Sequence, residues 1–234
     1  MKPHGQHPAA PFECAAMTFS LLGRCARTGQ FGAACTTSSI GIGGRVPYLA
    51  AGLGGVLTQH RTDPRLGPRG VELLRSGCSA EETVAALVAS TPDHGWRQLA
   101  VIDAQGRTAH FHGARMKPAH ADAHGPGCVA IGNIMANADV PRVMIDTFLA
   151  GPDAPLADRL LAALQAGEDA GGEGRPLVSA ALLVVDKESF PYADLRVDRD
   201  ATPIATLASI WRDYAPMADE YVLRAVAADS AKGG

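Results

Sequence analysis

Ordered patterning of apolar and polar positions begins abruptly at Thr18. Residues 18–25 (TFSLLGRC) and 31–38 (FGAACTTS) read as two strands, with Thr28 and Gly29 between them as in a hairpin. A third strand over 53–60 follows a stretch punctuated by Gly41, Gly43, Gly44 and Pro47. The apolar period then lengthens. It predicts a helix over 66–76 that stops at Gly77, and a second helix opening on Ser79-x-x-Glu82, a capping box, with Val84, Leu87 and Val88 on one face. Residues 96–103 and 107–112 make another hairpin around Ala104-Gln105-Gly106, and 128–134 a further strand. Helices over 140–149, with Pro141 in its first turn, and 156–166 follow. The latter carries Leu156, Leu160, Leu161 and Leu164 as its apolar stripe and ends at Gly167. The Gly-rich segment 167–176 reads as a mobile loop. Strands over 178–185 and 192–198 lead to a last helix with Thr202 as cap and Pro203 first, in which Ile204, Leu207 and Trp211 repeat. Pro216 divides it from an amphipathic segment over 217–227.

Strands thus come in hairpins and helices in pairs. A regular alternation of strand and helix, which would argue for a barrel or a doubly wound sheet, is absent. The order fits an α+β fold: a four-layer αββα sandwich with two antiparallel sheets between helix pairs. No internal repeat or dividing linker is visible, so 18–228 reads as a single domain with a short disordered tail over 229–234. Residues 1–17 (MKPHGQHPAAPFECAAM) hold three prolines and no apolar core. They make a poor signal peptide and read as a disordered leader, a short propeptide or a start assigned too far upstream.

Composition narrows the classes. With 47% hydrophobic and 19% charged residues the chain is globular in type. The net charge of −3 and the lack of a basic stripe exclude nucleic acid as an expected partner. No apolar run is long enough for a membrane span. Five cysteines, Cys14, Cys25, Cys35, Cys78 and Cys128, are widely spaced with no C-x-x-C, which fits a reducing, cytoplasmic setting better than a disulfide framework.

Several short motifs recur in a specific order: Met17-Thr18-Phe19-Ser20, Thr58-Gln59, Pro64-x-x-Gly67-Pro68 and Arg97-Gln98-Leu99-x-Val101-x-Asp103. Gly132-Asn133, Ser179-Ala180-x-Leu182-Leu183-Val184-Val185 and Asp194-Leu195-Arg196-Val197-Asp198 complete the set. Together they resemble the domain-of-unknown-function 1028 family, placed with the Ntn-hydrolase-like proteins, over Met17 to about Tyr221. The resemblance implies the αββα fold.

It also implies a chemistry. An N-terminal-nucleophile (Ntn) hydrolase attacks with the side chain of its first residue and uses that residue's α-amine as base. The α-amine titrates near 7.7–8.0, so it accepts a proton at working pH. Thr18 suits this role: it opens the first strand and follows Met17, which aminopeptidases remove before small residues. Ser20 lies on the same strand face. Thr37 and Ser38 close the second strand in a polar cluster. Where such enzymes often place a lysine, this chain has Ser38, with only Arg45 nearby. Gln59 could donate to a substrate carbonyl and Arg61 could hold a carboxylate; Asn133 could supply an oxyanion donor. Each also has a plain structural reading in packing, turn capping or a solvated loop.

The expected function is cleavage of an amide bond in a small-molecule or peptide-like substrate, without a cofactor or bound metal. Homo-oligomers are plausible through Met217, Tyr221 and Leu223. A rival reading is a binding or assembly protein on the same fold. A second rival is a zinc hydrolase using His110-x-His112 and His120-x-Asp122-x-His124. The polar segment 113–126 reads as an exposed loop, which makes surface histidines the simpler expectation.

Overall fold

The computed structural model describes residues 18–232. The expected leader, the Met17–Thr18 junction and residues 233–234 lie outside them. In chain order the elements are β1 (Thr18–Arg24), β2 (Phe31–Thr37), β3 (Pro47–Ala50), β4 (Gly54–Gln59), α1 (Leu66–Arg75) and α2 (Ala80–Ala89). Next come β5 (Gln98–Asp103), β6 (Thr108–His112), β7 (Ala121–Gly125), β8 (Cys128–Asn133), α3 (Val140–Ala150) and α4 (Leu156–Asp169). The chain continues through β9 (Ser179–Val185), β10 (Ala193–Val197), α5 (Pro203–Tyr214) and α6 (Ala218–Val226). The strands form two sheets, both antiparallel: six strands in the order β10-β9-β2-β1-β8-β7, and four in the order β3-β4-β5-β6.

Alternation along the strands sorts their side chains between two environments. In β1, Phe19 and Leu21 join Met144, Phe148, Leu160 and Leu164 of the α3–α4 pair. Leu22, pointing the other way, packs with Leu57, Ala100 and Ile102 of the second sheet. That sheet turns Val56, Leu99 and Val101 toward Leu66, Leu74 and Leu87 of α1 and α2. Each fully buried Leu or Phe contributes about 1.5–3 kcal/mol of transfer free energy. A one-residue slip would turn every such side chain onto the wrong face, so the apolar pattern also sets the register.

The helix signals hold where their chemistry is local. At α2 the Ser79 hydroxyl accepts from the Glu82 amide at 3.2 Å and the Glu82 carboxylate accepts from the Ser79 amide at 2.8 Å, so both halves of the capping box form. Thr202 does not cap α5 with its side chain; the Asp200 carboxylate accepts from the Thr202 amide instead, at 2.7 Å. Gly167 does not end α4, which runs on to Asp169. Its missing side chain admits Phe19 and Met144, which a Cβ would meet at 3.0 and 2.9 Å. Two strands escaped the sequence reading. β3 lies in the Gly- and Pro-punctuated stretch, and β7 in the segment taken for an exposed loop. No helix among the described residues is long and apolar enough to cross a membrane. Cys25, Cys35 and Cys128 are free thiols in the interior.

Gly54 has φ +117°, and a Cβ on it would lie 2.1 Å from the Ile102 carbonyl oxygen, across the β4–β5 pair. Gly29, with φ +81°, sits in open space. Gly54→Ala is expected to cost more than about 3 kcal/mol and Gly29→Ala about 1 kcal/mol, read by urea unfolding. Equal costs would contradict this packing.

Candidate functional site

The layer between the sheets is apolar over most of its extent and turns polar where β1 begins. Thr18 lies opposite Thr37 of β2 on one side and Asn133 of β8 on the other. The Thr18 hydroxyl donates to the Thr37 hydroxyl at 3.3 Å, and both side chains are buried. Ser20, one full strand repeat further on, reaches the second sheet: its hydroxyl donates to Gln59 Oε1 at 2.7 Å.

From Gln59 a chain of amides runs through the interior. Gln59 Nε2 donates to Gln98 Oε1 at 2.7 Å and approaches the Thr18 carbonyl oxygen at 3.5 Å. Gln98 Oε1 also accepts from Asn133 Nδ2 at 2.9 Å. Gln98 Nε2 donates to the Gly132 carbonyl at 2.8 Å and meets His112 Nδ1 at 3.0 Å. Gln59, Gln98, Asn133 and Ser20 are all fully buried. Gln98 fills its whole hydrogen-bonding capacity, two donors and two acceptor sites. The sequence reading passed over it, because a glutamine in an apolar strand carries no local motif.

These bonds redefine the expected roles. The Gln59 amide is spent inside the protein on Gln98 and Thr18, and the Ser20 hydroxyl on Gln59. The Asn133 donor is spent on Gln98; the atom left without a hydrogen-bond partner among the described residues is its acceptor, Oδ1. Thr37 touches both Thr18 and Ser39, whose hydroxyl lies at 3.5 Å. Arg61 goes elsewhere, with its guanidinium 3.8 Å from the centre of the Trp96 ring. His60 and Arg61 both hold left-handed backbone, φ 51° and 40°. Such strain in non-glycine residues at a strand end gathers at functional sites.

Glu173 was missed. It sits in the segment read as a mobile loop, yet Met135 pairs with it in an isolated β-bridge. Its Oε2 accepts from the Ser38 amide at 3.0 Å, which ties it to the end of β2 next to Thr37. Its Oε1 is buried without a hydrogen-bond partner among the described residues. Burial pushes this carboxyl up from the ordinary value to about 8, against the bond from Ser38 that favours the charged form.

A second polar group closes the open side of the inter-sheet layer, where edge strands β6 and β7 meet. His110 and His112 pair in register with Ala100 and Gln98, while Asp122 and His124 pair with Ile131 and Val129. The Asp122 carboxylate lies 3.0 Å from His112 Nε2, 3.3 Å from His110 Nε2 and 3.5 Å from His124 Nε2. Burial holds His112 and His124 below the usual imidazole range. The segment 113–126 is therefore not simply an exposed loop: β7 carries its alternate polar residues toward β6.

The alternating charges of β10 form a two-bond ion pair, Arg196 to Asp194 at 2.8 and 2.7 Å. They line a cleft of about 590 Å³ together with Tyr48, Arg75, Lys187 and Glu188, on a different set of residues from those around Thr18.

Protonation of Glu173 yields a pH dependence. A carboxyl raised from 4.5 to about 8 on folding binds its proton more tightly in the folded state, so stability falls as pH rises through that interval. Glu173→Gln is expected to match the wild type at pH 4 and to exceed it at pH 9 by up to about 5 kcal/mol, measured by urea unfolding. Parallel pH profiles for the two proteins would contradict the assignment.

Residues 18–207 match DUF1028, described as a family of unknown function, and the match opens at Thr18. The crystal structure of protein SPO2555 from Silicibacter pomeroyi, of the same family, is 30% identical, with a TM-score of 0.79 over 85% of this chain and 86% of that one. No curated protein matches the chain. The chain belongs to the DUF1028 family.

Proposed function

We propose that this protein is an amide hydrolase of the N-terminal-nucleophile type, with Thr18 as nucleophile. In this reading the two sheets and their flanking helices form the αββα sandwich of that superfamily. The observation that carries the proposal is the position of Thr18. It opens a central strand of the six-stranded sheet, at the polar end of the inter-sheet layer, with its hydroxyl 3.3 Å from that of Thr37.

The reaction follows from the groups at hand. With the chain before it removed, Thr18 bears a free α-amine beside its own hydroxyl. The hydroxyl oxygen attacks the substrate carbonyl and its proton passes to the α-amine, then to the departing nitrogen. The C–N bond breaks, leaving the acyl group as an ester on Thr18. Water, deprotonated by the same amine, attacks the ester and releases the acid, restoring Thr18. Thr37 orients the hydroxyl. Asn133 Oδ1, without a hydrogen-bond partner among the described residues, is suited to accept a hydrogen bond from the Thr18 amine or a substrate N–H, rather than to donate to an oxyanion. Ser20, Gln59 and Gln98 hold the strand end that carries these groups. Ser38, which presents Glu173 through its backbone, and Thr37 border the substrate side. No cofactor is required, and the unpaired interior cysteines suit a reducing compartment such as the cytoplasm.

A second reading rests on the burial of Thr18, which is 5% exposed. A protein that binds a ligand in the cleft beside Arg196, or assembles through the exposed Met217, Tyr221 and Val226, needs no accessible nucleophile.

Turnover of a panel of acyl p-nitroanilides distinguishes the two. Thr18→Ala is expected to lose at least about 100-fold in rate, while Thr18→Ser retains measurable turnover, since it keeps the hydroxyl and the amine. Full turnover by Thr18→Ala would sink the proposal.

A further inference from the structure

The histidine cluster between β6 and β7 answers to a different chemistry from the Thr18 site. Asp122 stands among three imidazoles drawn from two edge strands, and the two strands belong to different sheets. One ligand atom each from His110, His112 and Asp122 can be chosen so that all lie within 4.8 Å of one another. Zinc–nitrogen and zinc–oxygen bonds of about 2.0–2.1 Å place tetrahedral donors about 3.4 Å apart. The spacings of His110 Nε2 and His112 Nε2 from Asp122 Oδ1, 3.3 and 3.0 Å, are already close to that. His124 stands beside these three, its Nε2 3.5 Å from Asp122 Oδ2 and hydrogen-bonded to His110 Nδ1 at 2.8 Å. Its Nδ1 lies 2.7 Å from the Thr108 hydroxyl, a partner of the kind that orients metal-bound imidazoles.

We propose that His110, His112 and Asp122, with His124 in reach, form a binding site for a first-row divalent cation such as Zn²⁺ that pins the edge of one sheet to the edge of the other. Mixed imidazole and carboxylate donors suit that class of ion. The four side chains are partly accessible to solvent, which leaves the ion a path of entry. The proposal does not rest on the Thr18 chemistry and holds whether or not the protein is a hydrolase.

The site is also wired to the buried amides. Gln98 Nε2, fixed by the Gly132 carbonyl, donates to His112 Nδ1, so the His112 proton sits on Nε2 and faces Asp122. A metal on Nε2 moves that proton to Nδ1. Gln98 then has to turn its carbonyl toward His112, giving up Gly132 and its bonds from Gln59 and Asn133. Occupancy of the edge site is thereby linked to the amide chain that ends at the Thr18 carbonyl.

Calorimetric titration of untagged, chelator-treated protein with zinc chloride tests the site, together with the melting temperature. The expected result is about one zinc per chain and a raised melting temperature, as binding to the folded state alone requires. Asp122→Asn, close in shape to the wild type, and His110→Ala, at an edge-strand position, should each weaken binding at least about tenfold and remove the rise in melting temperature. Thr18→Ala should bind as the wild type does. No saturable uptake, or uptake that survives both cluster variants, would overturn the proposal and leave the histidines as a hydrogen-bonded cover over the edge of the core.

Discussion

A run of buried amides joins the two sheets, and most of what is distinctive in this protein depends on it. Ser20, Gln59, Gln98 and Asn133 carry polar groups into a layer that water does not reach. Each group left without a partner there would cost about 1–3 kcal/mol. At every one of these groups but Asn133 Oδ1 the cost is avoided, because β1, β4, β5 and β8 hold one register, in which Ser20 meets Gln59 and Gln98 meets both Gln59 and Asn133. Apolar packing at Leu22, Leu57, Ile102 and Ile131 holds the sheets together but tolerates small slides. A fully used glutamine at the centre does not.

That constraint makes the molecule unequal at its two ends. Where the layer is apolar the sheets simply close. Where it turns polar, the end of β1 is fixed from both sheets at once, through the Thr37 hydroxyl beside it and the Gln59 amide beneath it. A reactive group gains from such fixation, since geometry held before substrate arrives need not be organised during the reaction. The same Gln98 faces outward to His112, so the cluster at the open edge shares a hydrogen-bond donor with the interior. One side chain thus connects two places that sequence distance keeps apart.

Much of the fold was legible from periodicity, because long amphipathic helices and alternating strands announce their buried faces. The pairs α1–α2 and α3–α4 and the hairpins β1–β2 and β5–β6 lie within a few residues of expectation. The failures were physical. β3 is only four residues of which three are partly exposed, and β7 alternates alanine and glycine with histidine and aspartate, so neither has an apolar signature. Gly167 mimics a helix stop but serves close packing against Phe19. At the candidate site Thr18, Ser20, Thr37, Gln59 and Asn133 were expected to gather, and hydrogen bonds join them directly or through Gln98. Arg61 rests on Trp96 instead. Glu173 and Gln98 were not foreseen: the burial that gives each its meaning is set by chain distant in sequence. Histidine spacing did suggest a metal, yet only the pairing of β7 with β8 reveals that Asp122 faces His110 and His112.

The central claim is that Thr18 works as an N-terminal residue, and the N-terminus itself tests it most directly. The measurement is the intact mass and N-terminal sequence of protein expressed from its native gene. The account predicts a mature chain whose first residue is Thr18, with hydroxyl and free amine on one residue. A mature chain that retains Met17 or anything before it keeps the Thr18 nitrogen in a peptide bond, unable to act as the base, and would contradict the claim.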